Sequence, residues 1–326
     1  MIEGHGDDAY RYKDIKMDFS SNICVHRNHQ SLMAHLLSCP ELLAHYPEPE
    51  AWSLEKMIAM RHGIPTQCVI VTSGATDAIY LVAQAFRLKH FTPPTSFSEY
   101  DDAIRMFPTE DPTRSVGWIC NPNNPTGTTT HLNVVYEIAQ NYDLTVIDQS
   151  YEHYTTEPIM SAKAAVRHDN IIQIHSMTKT YGVPGLRLGY IVANCKLTTQ
   201  LRIHLRPWNV SALAIEAGKF LLQHDELICK PDLDEAKRLF QALSSIDGIS
   251  VGYSQTNFCL CTIQFHTATE LKEYLIRKYG ILIRDASNFK GLTPHHFRVA
   301  SQTPKENDTL VTAIQQFVNA RKHQRP

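Results

Sequence analysis

Strand-like and helical patterns alternate between residues 69 and 192, and this alternation constrains the fold more than any other feature of the chain. Short apolar, β-branched runs at 69–72, 144–148 and 171–175 are separated by stretches in which apolar side chains recur at helical spacing. Parallel strands need long crossover connections, and helices usually supply them. The sequence therefore predicts an α/β fold whose large domain is built on a doubly wound, mostly parallel sheet.

Composition argues against several classes of protein. The chain has 326 residues and a net charge of −2, so no basic surplus points to nucleic acid as a partner. No apolar run approaches the roughly 18 residues that span a bilayer, and the polar, acidic start does not resemble a signal peptide. Eight cysteines without a CxxC pair indicate a reduced, cytoplasmic protein and argue against a metal site such as zinc.

The chain divides into three predicted parts. Residues 1–50 read as an N-terminal arm that joins the small domain, residues 51–210 as the large domain, and residues 211–326 as a smaller α/β domain at the C-terminus. In the last part, apolar periodicity predicts two strands and two helices, at 249–253, 258–264, 232–243 and 269–278.

A lysine stands on the punctuated stretch SMTKTYGVPGLRLGY, residues 176–190, which we interpret as a loop between two buried strands. Burial lowers the pKa of a lysine and makes it an amine nucleophile, as a Schiff base with an aldehyde requires, so Lys179 is a candidate catalytic group. Ser176 and Arg187 on the same stretch could hold a phosphate. Taken alone, the motif also fits an ordinary solvated lysine.

A second stretch joins a strand directly to a helix. The run at 69–72 breaks at Ser73, which places Gly74, Ala75 and Thr76 at a helix N-terminus. Free backbone N–H groups and the positive end of the helix dipole favour an anion there. An ordinary strand–helix turn with small residues is the alternative.

Polar and aromatic side chains follow other predicted strands. The loop NPNNPTG, residues 121–127, carries three asparagines whose directions are fixed by prolines. Asp148 stands at the carboxyl end of a buried strand, where open α/β sheets bind ligands. The loop at 93–100 supplies two aromatics, Phe97 and Tyr100, and either could stack on a planar ring or pack in the core.

Two arginines of the C-terminal part, Arg284 and Arg298, are predicted to end short strands. Arginine binds carboxylate and phosphate bidentately, so one substrate with several negative charges could occupy both side chains. Structural salt bridges are the alternative interpretation for each of them.

In this order and spacing, the motifs resemble those of the fold-type I pyridoxal-phosphate enzymes of the class I/II aminotransferase group, over nearly the whole chain. The resemblance implies an aspartate-aminotransferase-like fold and pyridoxal 5′-phosphate as the cofactor. Lys179 would hold the cofactor aldehyde as a Schiff base and move the substrate's α-proton. Asp148 would pair with the pyridinium nitrogen. Asn124 and Tyr151 would hydrogen-bond the phenolic oxygen of the ring, and Tyr100 would stack on its face.

The same resemblance assigns the phosphate of the cofactor. Ala75, Thr76, Ser176 and Arg187 would cradle it, at the turn that Gly74 opens. Tyr46 resembles the tyrosine that reaches the phosphate of the neighbouring subunit. The arm would thus form a dimer contact, in a homodimer with shared sites.

A narrower resemblance concerns the substrate. Residues 281–292, ILIRDASNFKGL, are similar to the corresponding stretch of the L-threonine-O-3-phosphate decarboxylases, which make aminopropanol phosphate for the cobalamin side arm. The resemblance implies decarboxylation of L-threonine O-3-phosphate to aminopropanol O-2-phosphate and CO2, with Arg298 on the α-carboxylate. The residues that would line the substrate site are His5, Gly6, Asn22, Asn124, Arg284 and Arg298.

Two other functions stay open at this point. One is an aminotransferase acting on histidinol phosphate or an aromatic amino acid, which would need 2-oxoglutarate. The other is a non-catalytic pyridoxal-phosphate-binding protein. The interval from Tyr100 to Asn121 is shorter than in the family pattern and lacks a strand–helix piece. Either an edge of the large domain is trimmed, or this part of the sequence is incomplete. Near Gln302 the chain also lacks the basic residue that decarboxylases tend to carry.

Overall fold

A computed structural model describes residues 8–23 and 28–322 of the chain, with side chains described as far as Ala320. Helices and strands alternate along the large domain, as the apolar pattern predicts. The α-helices of the described residues are α1 Gln30–Leu37, α2 Trp52–His62, α3 Gly74–Ala85, α4 Glu99–Met106, α5 Leu132–Gln140, α6 Ala162–Ala165, α7 Met177–Tyr181, α8 Cys195–Arg202, α9 Ala212–Leu222, α10 Leu233–Ser244, α11 Ala268–Tyr279 and α12 Pro304–Lys322. The strands are β1 Met17–Asp18, β2 Val69–Thr72, β3 Leu88–Phe91, β4 Asp111–Cys120, β5 Leu144–Asp148, β6 Ile171–Ser176, β7 Gly189–Ala193, β8 Ile249–Val251, β9 Phe258–Ile263, β10 Ile281–Leu282, β11 Arg284–Asp285 and β12 His296–Ala300.

A six-stranded sheet forms the centre of the large domain, in the order β2-β7-β6-β5-β4-β3. Strands β3 to β6 are parallel to one another, and β7 runs antiparallel to both of its neighbours. Apolar residues cover both faces, because successive side chains of a strand point to opposite sides. In β2, Ile70 enters one hydrophobic cluster, while Val69 and Val71 enter another. The prediction of a doubly wound, mostly parallel sheet is confirmed.

A second sheet is antiparallel and is built from the C-terminal part of the chain, in the order β11-β12-β9-β8. Helices α10, α11 and α12 pack on it through Leu239, Leu271 and Phe317, among others. The arm joins this part through β1, which pairs in parallel with β10. In the ladder between β11 and β12, Arg284 lies directly opposite Arg298. Arg298 lies at the centre of β12 and Arg284 is the first residue of β11, so the prediction that both arginines end short strands is wrong.

The large sheet ends at β3 on one side. Helix α4 is followed after four residues by β4, which pairs with β3 over residues 111–117. Among the described residues, no strand lies beyond β3 in this sheet. The short interval between Tyr100 and Asn121 thus falls at the edge of the large domain.

Helix α9 packs against the large sheet's layer of helices, although the predicted boundary at residue 210 places it in the small domain. Its apolar side shares a hydrophobic cluster with α2. A Cβ atom at Gly218 would lie 2.7 Å from a methyl group of Leu54, so the two helices approach closely. The domain boundaries stay a prediction. None of the helices in the described part of the chain is both long and apolar enough to cross a membrane.

Candidate functional site

A cavity of about 430 Å³ lies at the carboxyl ends of the parallel strands, where the second sheet meets the first. Residues from distant parts of the chain form its wall. The predicted site residues that line it are Asn22, Ala75, Thr76, Asn124, Asp148, Tyr151, Ser176, Lys179, Arg187, Arg284 and Arg298. Most of the motifs that the sequence singles out are thus brought to one place.

One end of the cavity suits an anion. Gly74 begins α3 with a φ of +83°, and a Cβ atom there would lie 2.6 Å from Nη2 of Arg187. A Cβ atom at Gly189 would lie 2.7 Å from the backbone nitrogen of Ala75. Glycine at both positions lets the arginine and the N-terminus of α3 approach each other. Backbone N–H groups, a guanidinium and the hydroxyl of Ser176 together form a cradle for a phosphate.

Thr178 belongs to this wall but was not selected from the sequence. Its hydroxyl is buried, and Oγ1 has no hydrogen-bond partner among the described residues. A buried hydroxyl without a partner is costly, so a ligand that accepts or donates a hydrogen bond there would stabilise the site. The signal was available, since Thr178 directly precedes Lys179 in the same motif.

Asp148 supplies the negative charge at the base of the cavity. Its side chain is 3% exposed and ends β5. Tyr100 donates its hydroxyl to Oδ2 at 2.7 Å, and the backbone N–H of Ser150 donates to Oδ1 at 2.9 Å. Burial and the charge of Asp148 raise the pKa of Tyr100 well above its usual range, so the phenol keeps its proton and remains a donor. A carboxylate fixed in this way suits a protonated ring nitrogen.

Lys179 lies on the short helix α7, so the prediction of a loop is wrong at this residue. Gly182, with a φ of +67°, ends the helix in the left-handed conformation. Nζ of Lys179 lies 5.7 Å from the centre of the Tyr151 ring, and the backbone carbonyl accepts a hydrogen bond from Tyr154 at 3.0 Å. The amine therefore faces the same space as Asp148 and Tyr151.

Tyr151 and Asn22 form a hydrogen-bonding pair beside the lysine. Nδ2 of Asn22 donates to the Tyr151 hydroxyl at 3.3 Å. Burial raises the pKa of Tyr151 to about 12, so the hydroxyl stays protonated and can donate to a ligand. Oδ1 of Asn22 is buried without a partner in the described residues, which leaves an acceptor for a ligand donor.

Arg284 and Arg298 form the opposite end of the cavity. Arg298 donates to Oδ1 of Asn124 and to the backbone carbonyl of Ser20, and Arg284 donates to Oδ1 of Asn288 at 2.8 Å. Burial lowers the pKa of both guanidiniums, that of Arg284 to about 10, with the charge of Arg298 adding to the effect. Two buried like charges opposite each other are unfavourable, and an anionic ligand would relieve this cost.

Several predicted residues lie elsewhere. Tyr100 is fully buried behind Asp148 and stacks on Trp118 at 4.9 Å, while Phe97 from the same loop lines the cavity. Tyr46 is 86% exposed and contacts the Trp208 ring at 5.4 Å. The roles given to these two tyrosines stay predictions. His5 and Gly6 lie outside the described residues.

The donor set fits pyridoxal 5′-phosphate. It offers a phosphate cradle, an amine for the aldehyde, a carboxylate for the ring nitrogen, and a phenol–amide pair for the phenolic oxygen. A ligand of this shape explains two features. A Cβ atom added at Gly74 would collide with the Arg187 guanidinium, and the buried hydroxyl of Thr178 has no partner among the described residues.

Comparisons with known proteins support the same cofactor. A family model described as aminotransferase class I and II matches residues 95–314. The crystal structure of L-threonine-O-3-phosphate decarboxylase from Porphyromonas gingivalis has a TM-score of 0.88 and 34% identity, and covers 93% of this chain and 99% of that one. A protein of Caldanaerobacter subterraneus subsp. tengcongensis, whose name contains threonine-phosphate decarboxylase, is 31% identical over 83% of both chains. A histidinol-phosphate aminotransferase of Thermoanaerobacter sp. is 28% identical over 84% of both. The chain therefore belongs to the aminotransferase class I and II family, whose members use pyridoxal 5′-phosphate.

Proposed function

We propose that this protein is a pyridoxal-phosphate-dependent carboxy-lyase that converts L-threonine O-3-phosphate to aminopropanol O-2-phosphate and CO2, a step of cobalamin biosynthesis. The observation that carries the proposal is the pairing of Arg284 with Arg298 across one ladder, both facing the cavity that contains Lys179. A substrate with a carboxylate and a phosphate matches two buried guanidiniums. The two decarboxylases with 34% and 31% identity support the same choice.

The cofactor would be held by residues of the large domain. Arg187, Ser176 and the N-terminus of α3 would bind its phosphate, Lys179 its aldehyde, and Asp148 its ring nitrogen. When bound, the cofactor supplies an electron sink for the electron pair of the bond that breaks. Tyr100 and the Ser150 N–H fix the direction of the Asp148 carboxylate, so that it holds a proton on the ring nitrogen.

The substrate would be oriented by residues of the second sheet. Arg298, fixed by Asn124 and the Ser20 carbonyl, would bind the α-carboxylate, and Arg284 the phosphate. These two contacts would orient the α-carbon of the substrate and so decide which of its bonds breaks. When CO2 leaves, the α-carbon takes up one proton in its place, and Nζ of Lys179 would donate it.

We further propose a homodimer with shared sites and a cytoplasmic location. Tyr46 and Trp208 form an exposed aromatic pair, and Leu37 and Leu43 of the arm are more than three-quarters exposed. Large exposed apolar side chains of this kind are typical of an interface between subunits. The cysteines of the described residues form no disulfide, which supports a reducing compartment.

The test is CO2 release from L-threonine O-3-phosphate by the cofactor-loaded protein, with no keto acid present. We expect one CO2 and one amino-alcohol phosphate for each substrate consumed. The Lys179→Ala variant should release no CO2 and lose the covalent attachment of the cofactor, whereas Lys196→Ala, which changes an exposed lysine, should behave as wild type.

Two other outcomes would replace the proposal. Turnover of histidinol phosphate that depends on 2-oxoglutarate, without CO2, would identify an aminotransferase, the activity named in the relative with 28% identity. Tight cofactor binding without turnover of either substrate would identify a non-catalytic binding protein.

A further inference from the structure

Two cysteines that are far apart in the sequence lie close together next to strand β2 of the large sheet. Cys68 precedes β2 and is buried, and Cys195 is the first residue of α8 and is exposed. Their sulfur atoms lie 3.3 Å apart. We propose that Cys68 and Cys195 are a redox-sensitive dithiol, which a hydroperoxide or a small disulfide oxidant converts to an intramolecular disulfide.

The proximity of the two sulfurs is imposed by the surrounding backbone. Thr198 of α8 donates its hydroxyl to the carbonyl of Gln67 at 2.7 Å. Arg202, at the end of the same helix, donates to the carbonyl of Val69 at 2.6 Å. These bonds anchor α8 to both residues that flank Cys68. The sulfurs need only a small further approach to reach a disulfide bond length of about 2 Å.

Exposure sets the order of the reaction. Cys195 is the thiol that an oxidant reaches first, while burial and the neighbouring Cys195 raise the pKa of Cys68 to about 12, so Cys68 keeps its proton. With hydrogen peroxide, the Cys195 sulfur takes one oxygen to give a sulfenic acid, and one water leaves. The Cys68 sulfur then displaces the hydroxyl as a second water and forms the S–S bond. Two thiols lose two electrons, and the peroxide gains them.

The disulfide would be connected to the proposed phosphate site through the paired strands β2 and β7. Strands β2 and β7 pair from Val69 and Val192 to Thr72 and Gly189. Cys68 and Cys195 flank the first end of this ladder, and Gly74 and Arg187 flank the other. Oxidation would therefore link the two strands covalently near one end of their ladder. The proposed phosphate site lies at the other end. Only this consequence rests on the proposed function, since the disulfide itself does not.

The chain contains a matched control for sulfur distance. Cys259 and Cys261 lie on one strand, β9, with their sulfurs 3.6 Å apart, but both are fully buried. If exposure to the oxidant and the hydrogen bonds that anchor α8 decide which pair reacts, Cys259 and Cys261 should stay reduced under conditions that link Cys68 to Cys195.

The experiment treats the cofactor-loaded protein with limiting hydrogen peroxide, alkylates the remaining thiols, and maps linked peptides by mass spectrometry. We expect one linked peptide pair containing Cys68 and Cys195, reversed by dithiothreitol and absent from Cys195→Ser. In Cys68→Ala, the sulfenic acid on Cys195 should persist. Oxidation of Cys195 to a sulfinic acid in the wild type without any linked peptide would overturn the proposal, as would equal oxidation of Cys259 and Cys261.

A second readout does not depend on activity. Because a disulfide restricts the unfolded chain, the oxidised wild type should melt higher than the reduced protein by roughly 5 °C, and Cys195→Ser should show no shift. A linked protein that melts at the reduced temperature would mean that the bond strains the fold, and would contradict a pair of sulfurs that the backbone already holds in position. Both readouts remain valid if CO2 release from threonine phosphate fails.

Discussion

At the scale of single residues, the groups that face the cavity are held in place by hydrogen bonds with neighbouring residues. Asp148 is oriented by Tyr100, which has no exposed surface, and Arg298 by the backbone carbonyl of Ser20. Supporting contacts of this kind fix the direction of a reacting group, and their loss typically costs activity without unfolding the protein. They are therefore the sharpest places to test the site.

Replacing Tyr100 with phenylalanine distinguishes two roles for this residue. If the hydroxyl positions Asp148, Tyr100→Phe should lower kcat for CO2 release at least about tenfold and weaken cofactor binding, because the carboxylate loses a donor at 2.7 Å. If the ring stacks on the cofactor, as the sequence suggests, phenylalanine preserves that contact and kcat changes little. Tyr136→Phe, on helix α5, is the control for loss of a tyrosine hydroxyl elsewhere.

Gly74 and Gly63 separate backbone strain from loss of space. Both have positive φ, +83° and +63°, so alanine at either position should destabilise the fold by about 1 kcal/mol. Only at Gly74 does the new Cβ meet Arg187, whereas nothing lies within 4 Å at Gly63. We expect Gly74→Ala to weaken cofactor binding more than tenfold and Gly63→Ala to leave it unchanged, as measured by absorbance titration. Equal cofactor affinities would contradict the cradle.

At the scale of elements, the sequence predicts what is encoded locally. Strands β2 and β5 have the predicted bounds, since β-branched runs end there at polar or glycine positions. Helix α7 was missed, because five residues are too few to show helical periodicity. The pairing of Arg284 with Arg298 was missed as well, and the sequence left open whether Tyr100 stacks on a ring or packs in the core. Both depend on strand register and packing between distant segments, which no local pattern contains.

A buried histidine cluster behind β6 predicts how stability depends on pH. Burial, with His175 adding to it, lowers the pKa of His62 to about 4 from 6.5. The unfolded chain then binds a proton between pH 6.5 and 4 that the folded protein does not, so the free energy of unfolding falls as pH falls through this range. The shift corresponds to at most roughly 3 kcal/mol. The groups around His62 are Arg61, Glu152, His153, His175 and Tyr190.

The measurement is urea unfolding at several pH values from 7 down to about 2, because Glu152 titrates at the acid end. His62 acts in the window between pH 6.5 and 4. His62→Phe should remove most of the loss in this window, and His224→Gln, which changes a histidine paired with Glu226 near the surface, should not. Below pH 4.5 a second loss should remain in both variants. Burial alone would raise the pKa of Glu152, but His175 and its neighbours bring it down to about 2, so this carboxylate is protonated only in strong acid. A pH profile unchanged by His62→Phe would contradict the assignment.

At the scale of the whole molecule, the cavity joins two binding surfaces with separate origins. The large sheet contributes the phosphate cradle, Asp148 and Lys179, and the second sheet contributes the two arginines. In the proposed function, cofactor binding and substrate orientation would thus be carried by different parts of the chain. Both a decarboxylase and an aminotransferase are among the similar proteins, and one cofactor site with different substrate contacts would account for the two reactions.

The predicted homodimer with shared sites can be tested through Tyr46. This side chain lies outside the cavity of its own chain and is almost fully exposed. If Tyr46 completes the site of a partner, chains with Lys179→Ala and chains with Tyr46→Ala should complement each other. In a mixed dimer, one of the two sites keeps both groups, so isolated mixed dimers should have about half of the wild-type sites. If Tyr46 served its own chain, no site would be intact.

The measurement is CO2 release by mixed dimers isolated through two different tags, with each variant alone as the control. Activity no higher than that of the variants alone would exclude shared sites, and a single species of monomer mass in sedimentation would exclude the dimer itself.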